Sequence, residues 1–269
     1  MPALTLPDVS LHYEIGGSGP PLLLIAGMSS DSASWGPLVP RLEQSFTVIR
    51  PDNRSTGRSR PADAPASVPI WAQDAVALLD HLGTAKARVV GHSLGGIIAT
   101  QMAITAPERV ARLVLLASAP LRLPRNDALF ALMLALRGPG LPADLWLRAF
   151  LPWLFHPRFF DDPAVQERAI AQSLAYPHAQ TAEAMAHQSR ALADFDPQPL
   201  RAGPMVPVLA LLSQDDLLIP AEAARAALAG FSDLRLSLLS GAGHSLHWDA
   251  PDLVLDHILP FLLEETRSP

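Results

Sequence analysis

The 269 residues carry 20 Lys plus Arg against 26 Asp plus Glu, a formal charge of −6, with 49% apolar residues and no cysteine. That length supports one large core with room for an insertion, and the acidic balance with scattered arginines argues against a nucleic-acid partner. A chain without cysteine has no disulfide, no thiolate nucleophile and no cysteine-bound metal.

The amino terminus lacks a basic stretch leading into an apolar one, so no secretory leader is expected and a cytoplasmic location follows. The longest apolar run, "VPVLALL" at 206–212, is too short to span a bilayer, so no stable membrane insertion is expected. "VSLHYEI" (9–15) alternates with period two and reads as an outer strand ending in a "GGSGPP" turn; "PLLLIAG" (21–27) reads as a strand covered on both faces. A short helix is expected over Ser34 to Leu42, then a strand at "FTVIRPD" (46–52). Apolar residues at helical spacing predict a helix from Pro69 to Leu82, stopped by Gly83.

"ARVVG" (87–91), a helix over Leu94 to Thr105 and "VARLVLLAS" (110–118) continue the alternation, which predicts a mostly parallel sheet with helices on both faces. The order fails after Pro120. Residues 121–195 read as helical throughout and are expected to form a cap inserted between two core segments, 1–120 and 196–269. The alternation resumes with "VPVLALLS" (206–213), a helix from Pro220 to Leu228, "LRLSLLSG" (234–241) and an amphipathic helix over Pro251 to Glu264.

The stretch "RVVGHSLGGIIATQ" (88–101) places glycines around Ser93 where a buried strand passes into a helix. Gly91 and Gly95 lie two residues to either side and Gly96 follows, so strand and helix can approach closely around a sharp turn. A serine there presents its hydroxyl above the carboxyl ends of the strands, beside the free amides of the helix start. Serine alone is a weak nucleophile and needs a base, which in turn needs an orienting acceptor. Candidates stand just past two later strands: Asp215 and Asp216 in "SQDDLLIP", and His244 and His247 in "GAGHSLHW". Pattern alone does not separate the adjacent acids.

"GHSLGG" matches G-x-S-x-G, and with "LLIAGM", "PDNRSTGRS", "SQDDLLIP" and "GAGHSLHW" in this order the chain resembles the α/β-hydrolase family, in its serine esterase, lactonase and methylesterase-like branch. The resemblance implies an α/β-hydrolase fold: a mostly parallel sheet of eight-stranded type, helices on both faces and a helical cap. It implies Ser93 as nucleophile, His244 as base and Asp216 as the acid, four residues before the proline of "DLLIP". The backbone amides of Met28 and Leu94 would form the oxyanion hole. Three positions depart from the family pattern, which often has histidine at Ala26 and glycine at Ser55 and Ser213.

Together these imply a serine hydrolase that cleaves a small or medium, mainly apolar carboxylic ester or lactone through an acyl-enzyme, with neither cofactor nor metal. The pocket walls are expected from Trp35, Met133, Trp146, Phe150 and Trp153, with Leu217 and His247 beside them. Three other activities fit the same motifs: a cofactor-free perhydrolase or haloperoxidase-like enzyme, a proline-releasing aminopeptidase, and a noncatalytic binding protein on the hydrolase scaffold. Haloalkane dehalogenation requires an aspartate where this chain has Ser93.

Overall fold

Successive side chains along each central strand enter different cores. Leu23, Ile25, Val89, Leu113, Leu115 and Ala210 join one cluster. Their neighbours Leu22, Leu24, Val90, Val114, Leu116 and Leu211 join another. A period of two thus explains why these segments are apolar at every position: the sheet is covered on both faces. Leu22, Leu23 and Leu24 are fully buried, each contributing about 2 kcal/mol from apolar area removed from water.

The computed structural model describes residues 2–264. Residue 1 and residues 265–269, the outer ends of the two expected core segments, lie outside the described residues. The strands are β1 (Ala3–Thr5), β2 (Ser10–Gly17), β3 (Pro21–Ile25), β4 (Thr47–Pro51), β5 (Ala87–His92), β6 (Val110–Leu116), β7 (Val208–Ser213) and β8 (Leu234–Leu239). They form one sheet in the order β1-β2-β4-β3-β5-β6-β7-β8. The β1–β2 and β2–β4 pairs are antiparallel and every later pair is parallel.

The helices are α1 (Val39–Leu42), α2 (Val68–His81), α3 (Leu94–Thr105), α4 (Pro124–Ala135), α5 (Leu145–Leu154), α6 (Pro163–Ala175), α7 (Ala182–Ala193), α8 (Ala221–Leu228), α9 (Leu246–Asp249) and α10 (Pro251–Leu263). Trp71 and Leu78 of α2, Ile98 and Met102 of α3 and Leu228 of α8 cover one sheet face. Leu42 of α1, Leu246 of α9 and Ile258 of α10 cover the other. Helices α4 to α7 all lie between β6 and β7 in the chain and pack Met133, Phe150 and Met185 onto the first of these cores. Ser67 caps α2 by accepting from Ile70 N, and Thr181 caps α7 by accepting from Ala184 N, each such cap contributing about 1 kcal/mol.

Three local expectations need correction. Gly16 and Gly17 belong to β2, because the strand pairs with β4 through both residues. The helix expected over Ser34 to Leu42 is two pieces, a 3-10 turn at Ser32–Trp35 and α1, separated by Gly36, Pro37 and Leu38. Strand β1 and helix α9 are additional; each is only three or four residues long, too short for a periodicity to appear. Among the described residues no helix is long and apolar enough to cross a membrane.

Candidate active site

Strand β5 ends at His92 and α3 begins at Leu94, so Ser93 alone turns the chain. It does so at φ +52 and ψ −120, a conformation that costs a residue bearing a Cβ about 1–3 kcal/mol. The glycines permit the turn by their lack of bulk. A Cβ on Gly91 would lie 2.6 Å from Gly96 Cα, and one on Gly95 would lie 2.6 Å from Ile25 C and 2.7 Å from Ala26 O. Ser118 Oγ, just past β6, donates to Ser93 O at 2.6 Å and ties the turn to the next strand.

Strands β3 and β5 are parallel neighbours, so the loops leaving them meet over the same sheet edge. A Cβ on Gly27 would stand 3.2 Å from that of Ser93. Met28, Ser93 and Leu94 accordingly line one cleft.

Strands β7 and β8 bring the acid and the imidazole together. The Nδ1–H of His244 donates to Asp216 Oδ2 at 2.9 Å, and both side chains are buried. Asp216 Oδ1 accepts from Leu218 N and Ile219 N, both at 2.8 Å. With Nδ1 so engaged, the lone pair of the neutral ring resides on Nε2. Asp215 points elsewhere: it accepts from Gly241 N at 3.3 Å and lies 3.7 Å from His156 Nε2. Tertiary geometry therefore separates the two acids that pattern left paired. Among the described residues Ser93 Oγ has no hydrogen bond to the His244 ring; such contacts commonly tighten only with substrate bound.

Two further imidazoles pack against this pair. His92 lies 4.9 Å from His244 and 4.5 Å from His247, centroid to centroid. Its Nε2–H donates to His244 O at 3.0 Å, fixing the backbone that carries the base. Burial, and then the neighbouring His244, pushes the His92 pKa down to about 3. Burial and then His92 hold His247 well below the ordinary histidine range. Both shifts favour the neutral rings, so neither imidazole sets a positive charge against the one that forms on His244.

The 52–59 loop is fastened by ion pairs. Arg54 donates two parallel bonds to Asp74 at 2.7 and 2.8 Å and a third to Asp8 at 2.6 Å. Asp52 accepts from Ser32 N and from Arg58 N and Nε, while Asn53 Nδ2 donates to Ala26 O at 3.0 Å. Ser55, at an expected glycine position, holds φ +70. Its hydroxyl is hydrogen-bonded to His187 Nδ1 at 2.9 Å. At the third departure, Ser213 Oγ donates to Ala242 O and accepts from Asp215 N.

The cleft encloses about 630 Å³ including its open mouth. Its walls are largely apolar, with Ile97 of α3, Leu121 and Leu123 before α4, Phe130 of α4 and Leu192 and Phe195 at the end of α7. None of the seven residues expected as its walls lines it. Trp35 lies in the opposite core, its ring centroid 5.3 Å from that of His247 with the planes tilted by 38°. Met133 and Phe150 are consumed in packing helices onto the sheet. Trp146 lies under Arg137 at 4.5 Å, Trp153 packs against the core and Leu217 is half exposed. The helical periodicity of residues 121–195 identified apolar faces without saying which face meets the core.

Three residues that the sequence reading missed tie the helical segment to the loops of the site. Gln188 Oε1 of α7 accepts from Ser29 N at 2.9 Å, Asn126 Nδ2 of α4 donates to Leu218 O at 2.8 Å, and Leu154 O of α5 accepts from Ser245 N at 2.7 Å. None carries a local signal, because each partner lies more than 90 residues away.

A largely parallel sheet with a serine on a strained strand-to-helix turn, and a carboxylate–imidazole pair at two later strand exits, defines the hydrolase class built on this scaffold. The chain belongs to the α/β-hydrolase family, whose model matches residues 22–257. It is similar to a protein named RutD carbamate hydrolase from Azorhizobium caulinodans, 33% identical over 259 residues, covering 94% of this chain and 95% of the relative. Among solved structures it resembles a hydrolase from Pseudomonas aeruginosa, with 27% identity, a TM-score of 0.85 and 98% of each chain covered. A thermophilic esterase from Thermogutta terrifontis gives 26% identity and a TM-score of 0.81, covering 97% of this chain and 96% of the esterase.

Proposed function

We propose that the protein is a serine hydrolase acting on a small, mainly apolar carboxylic ester or lactone. The observation that carries this reading is the buried 2.9 Å bond between Asp216 and His244, on the sheet edge where Ser93 opens into an apolar cleft. His244 takes the proton of Ser93 as its oxygen attacks the carbonyl, and Asp216 stabilises the imidazolium that forms. The amides of Leu94 and Met28 stabilise the oxyanion, each contributing about 3 kcal/mol in the transition state. His244 then protonates the leaving oxygen and activates water against the acyl-enzyme. Residues 121–195 act as the cap, supplying half of the residues that line the cleft.

A carbamate is the second reading, favoured by the 33% identity with the carbamate hydrolase over nearly the whole chain. The same attack on a carbonyl serves both substrates. The test is a turnover screen over p-nitrophenyl esters of rising acyl length, lactones and carbamates, with Ser93→Ala as the blank. Loss of turnover in Ser93→Ala with an unchanged circular dichroism spectrum is expected. Full activity in that variant overturns the nucleophile assignment, and activity confined to carbamates replaces the ester reading.

A further inference from the structure

The loop that follows β3 is held from outside the core. Gly27 O accepts from Ser30 N at 3.3 Å, closing a four-residue turn around Met28 and Ser29. Ser29 sits at φ +58, the sign that a type II turn requires at its third position and that glycine normally supplies. A non-glycine residue there is strained by roughly 1–3 kcal/mol, and something must hold the central peptide against flipping. The serine side chains do little: among the described residues Ser29 Oγ is buried without a hydrogen-bond partner, and Ser30 Oγ reaches the peptide's oxygen, Met28 O, only at 3.4 Å. The hydrogen of that central peptide is Ser29 N–H, and its acceptor is Gln188 Oε1.

Gln188 is fully buried. Its Oε1 accepts a second bond from Gln180 Nε2 at 3.1 Å, and Gln180 Nε2 also donates to Ser55 O at 2.8 Å. Two glutamines of the helical segment thus grip the core loops that carry Ser29 and Ser55, both at positive φ. These donors fix the orientation of the carboxamide, since two N–H groups can share only its oxygen. Among the described residues Gln188 Nε2 has no hydrogen-bond partner. Burying a polar side chain this deeply is costly unless its one engaged atom matters.

We propose that Gln188 is a positioning residue of the oxyanion hole: from the cap it anchors the Met28–Ser29 peptide and so fixes in place the strained turn that carries Met28 N–H. Seating of the cap on the core then completes the catalytic geometry, and a cap that lifts away releases the turn. The inference rests on the serine-hydrolase reading and adds a residue through which the cap governs the rate.

The unpaired Nε2 makes the test clean. Gln188→Glu retains an acceptor oxygen and replaces the unpartnered amine by a second carboxyl oxygen, whereas Gln188→Met retains the volume and discards the acceptor. Each variant is assayed with a short-chain p-nitrophenyl ester at pH 6, and for its rate of inactivation by a serine-directed phosphonate, whose reaction also develops an oxyanion. Gln188→Met is expected to lower kcat and the inactivation rate together by about 30-fold, with KM within about threefold, part of the loss seen when a donor is removed outright. Gln188→Glu is expected to recover most of both. If Gln188→Met does not fold, Gln180→Met, which frees one of the two bonds on the same oxygen, decides the matter with an expected fall in kcat of about threefold. Ser93-dependent turnover with an unchanged kcat in Gln188→Met, or in Gln180→Met where that variant decides, overturns the positioning role alone. A loss of the same size in Gln188→Glu overturns it too. Turnover that survives Ser93→Ala removes the reading beneath it.

Discussion

Substituting Gly95 by alanine tests whether backbone contact at the turn sets the catalytic geometry. Gly95 is the second residue of α3, and its added Cβ would stand 2.6 Å from Ile25 C and 2.7 Å from Ala26 O, closer still to Ile25 O. All three obstacles are backbone atoms of β3 and the residue after it, so no side chain can rotate aside. Clearing them requires the start of α3 to retreat by roughly 1 Å, an overpacking that costs about 1–3 kcal/mol. Ser93 and the Leu94 amide move with that helix start, and a misplacement of about 1 Å lowers turnover by about 10²-fold. The assay is kcat on a p-nitrophenyl ester beside urea unfolding of the same preparation. Gly83→Ala is the control: it too is strained, at φ +64, but its Cβ meets nothing within 4 Å, so it should lose about 1 kcal/mol of stability and no activity. Wild-type kcat in Gly95→Ala would refute the argument.

Two other predictions follow from the buried pair and its neighbours. Asp216→Asn should lower kcat by about 10⁴-fold by presenting the wrong histidine tautomer, while Asp215→Asn, at an exposed carboxylate, should stay near wild type; the reverse order would reassign the acid. The low pKa of His92, about 3 against 6.5, means the unfolded chain binds more protons between those values. The stability held by this neutral ring is therefore complete above about pH 6.5 and is lost as pH falls, at ~1.4 kcal/mol per pH unit. His247 acts in the same direction. Asp31, Asp74 and Asp249, all raised by burial, act in the opposite one. Urea unfolding at pH 6.5, 5.8 and 5 should therefore show His92→Gln losing stability less steeply on acidification than wild type, and parallel slopes would count against a buried neutral imidazole.

How much of this was legible in the chain differs from one residue to the next. Ser93 was readable because its constraint is local: the glycines that permit the turn stand within three residues of it. The strands were readable for a similar reason, since a sheet covered on both faces requires runs that are apolar at every position. By position alone His244 and the adjacent pair Asp215 and Asp216 were polar residues at strand exits, and only the family resemblance gave them roles. The resemblance pointed to Asp216, and the parallel pairing of β7 with β8 supplies the physical reason: the loops that leave them place one carboxylate against the imidazole and turn the other toward His156.

The helical segment marks the boundary between the two kinds of information. Its sequence determined that residues 121–195 would be helical, because propensity and period are properties of neighbours. It could not determine that Phe130, Leu192 and Phe195 face the cleft while Met133, Phe150 and Trp153 are spent on packing. Nor could it reveal that Gln188 reaches Ser29 across 159 positions. An amphipathic helix encodes an apolar face, but the rotation and tilt with which that face docks are set by the shape of the surface beneath it, and that surface exists only after the sheet has formed.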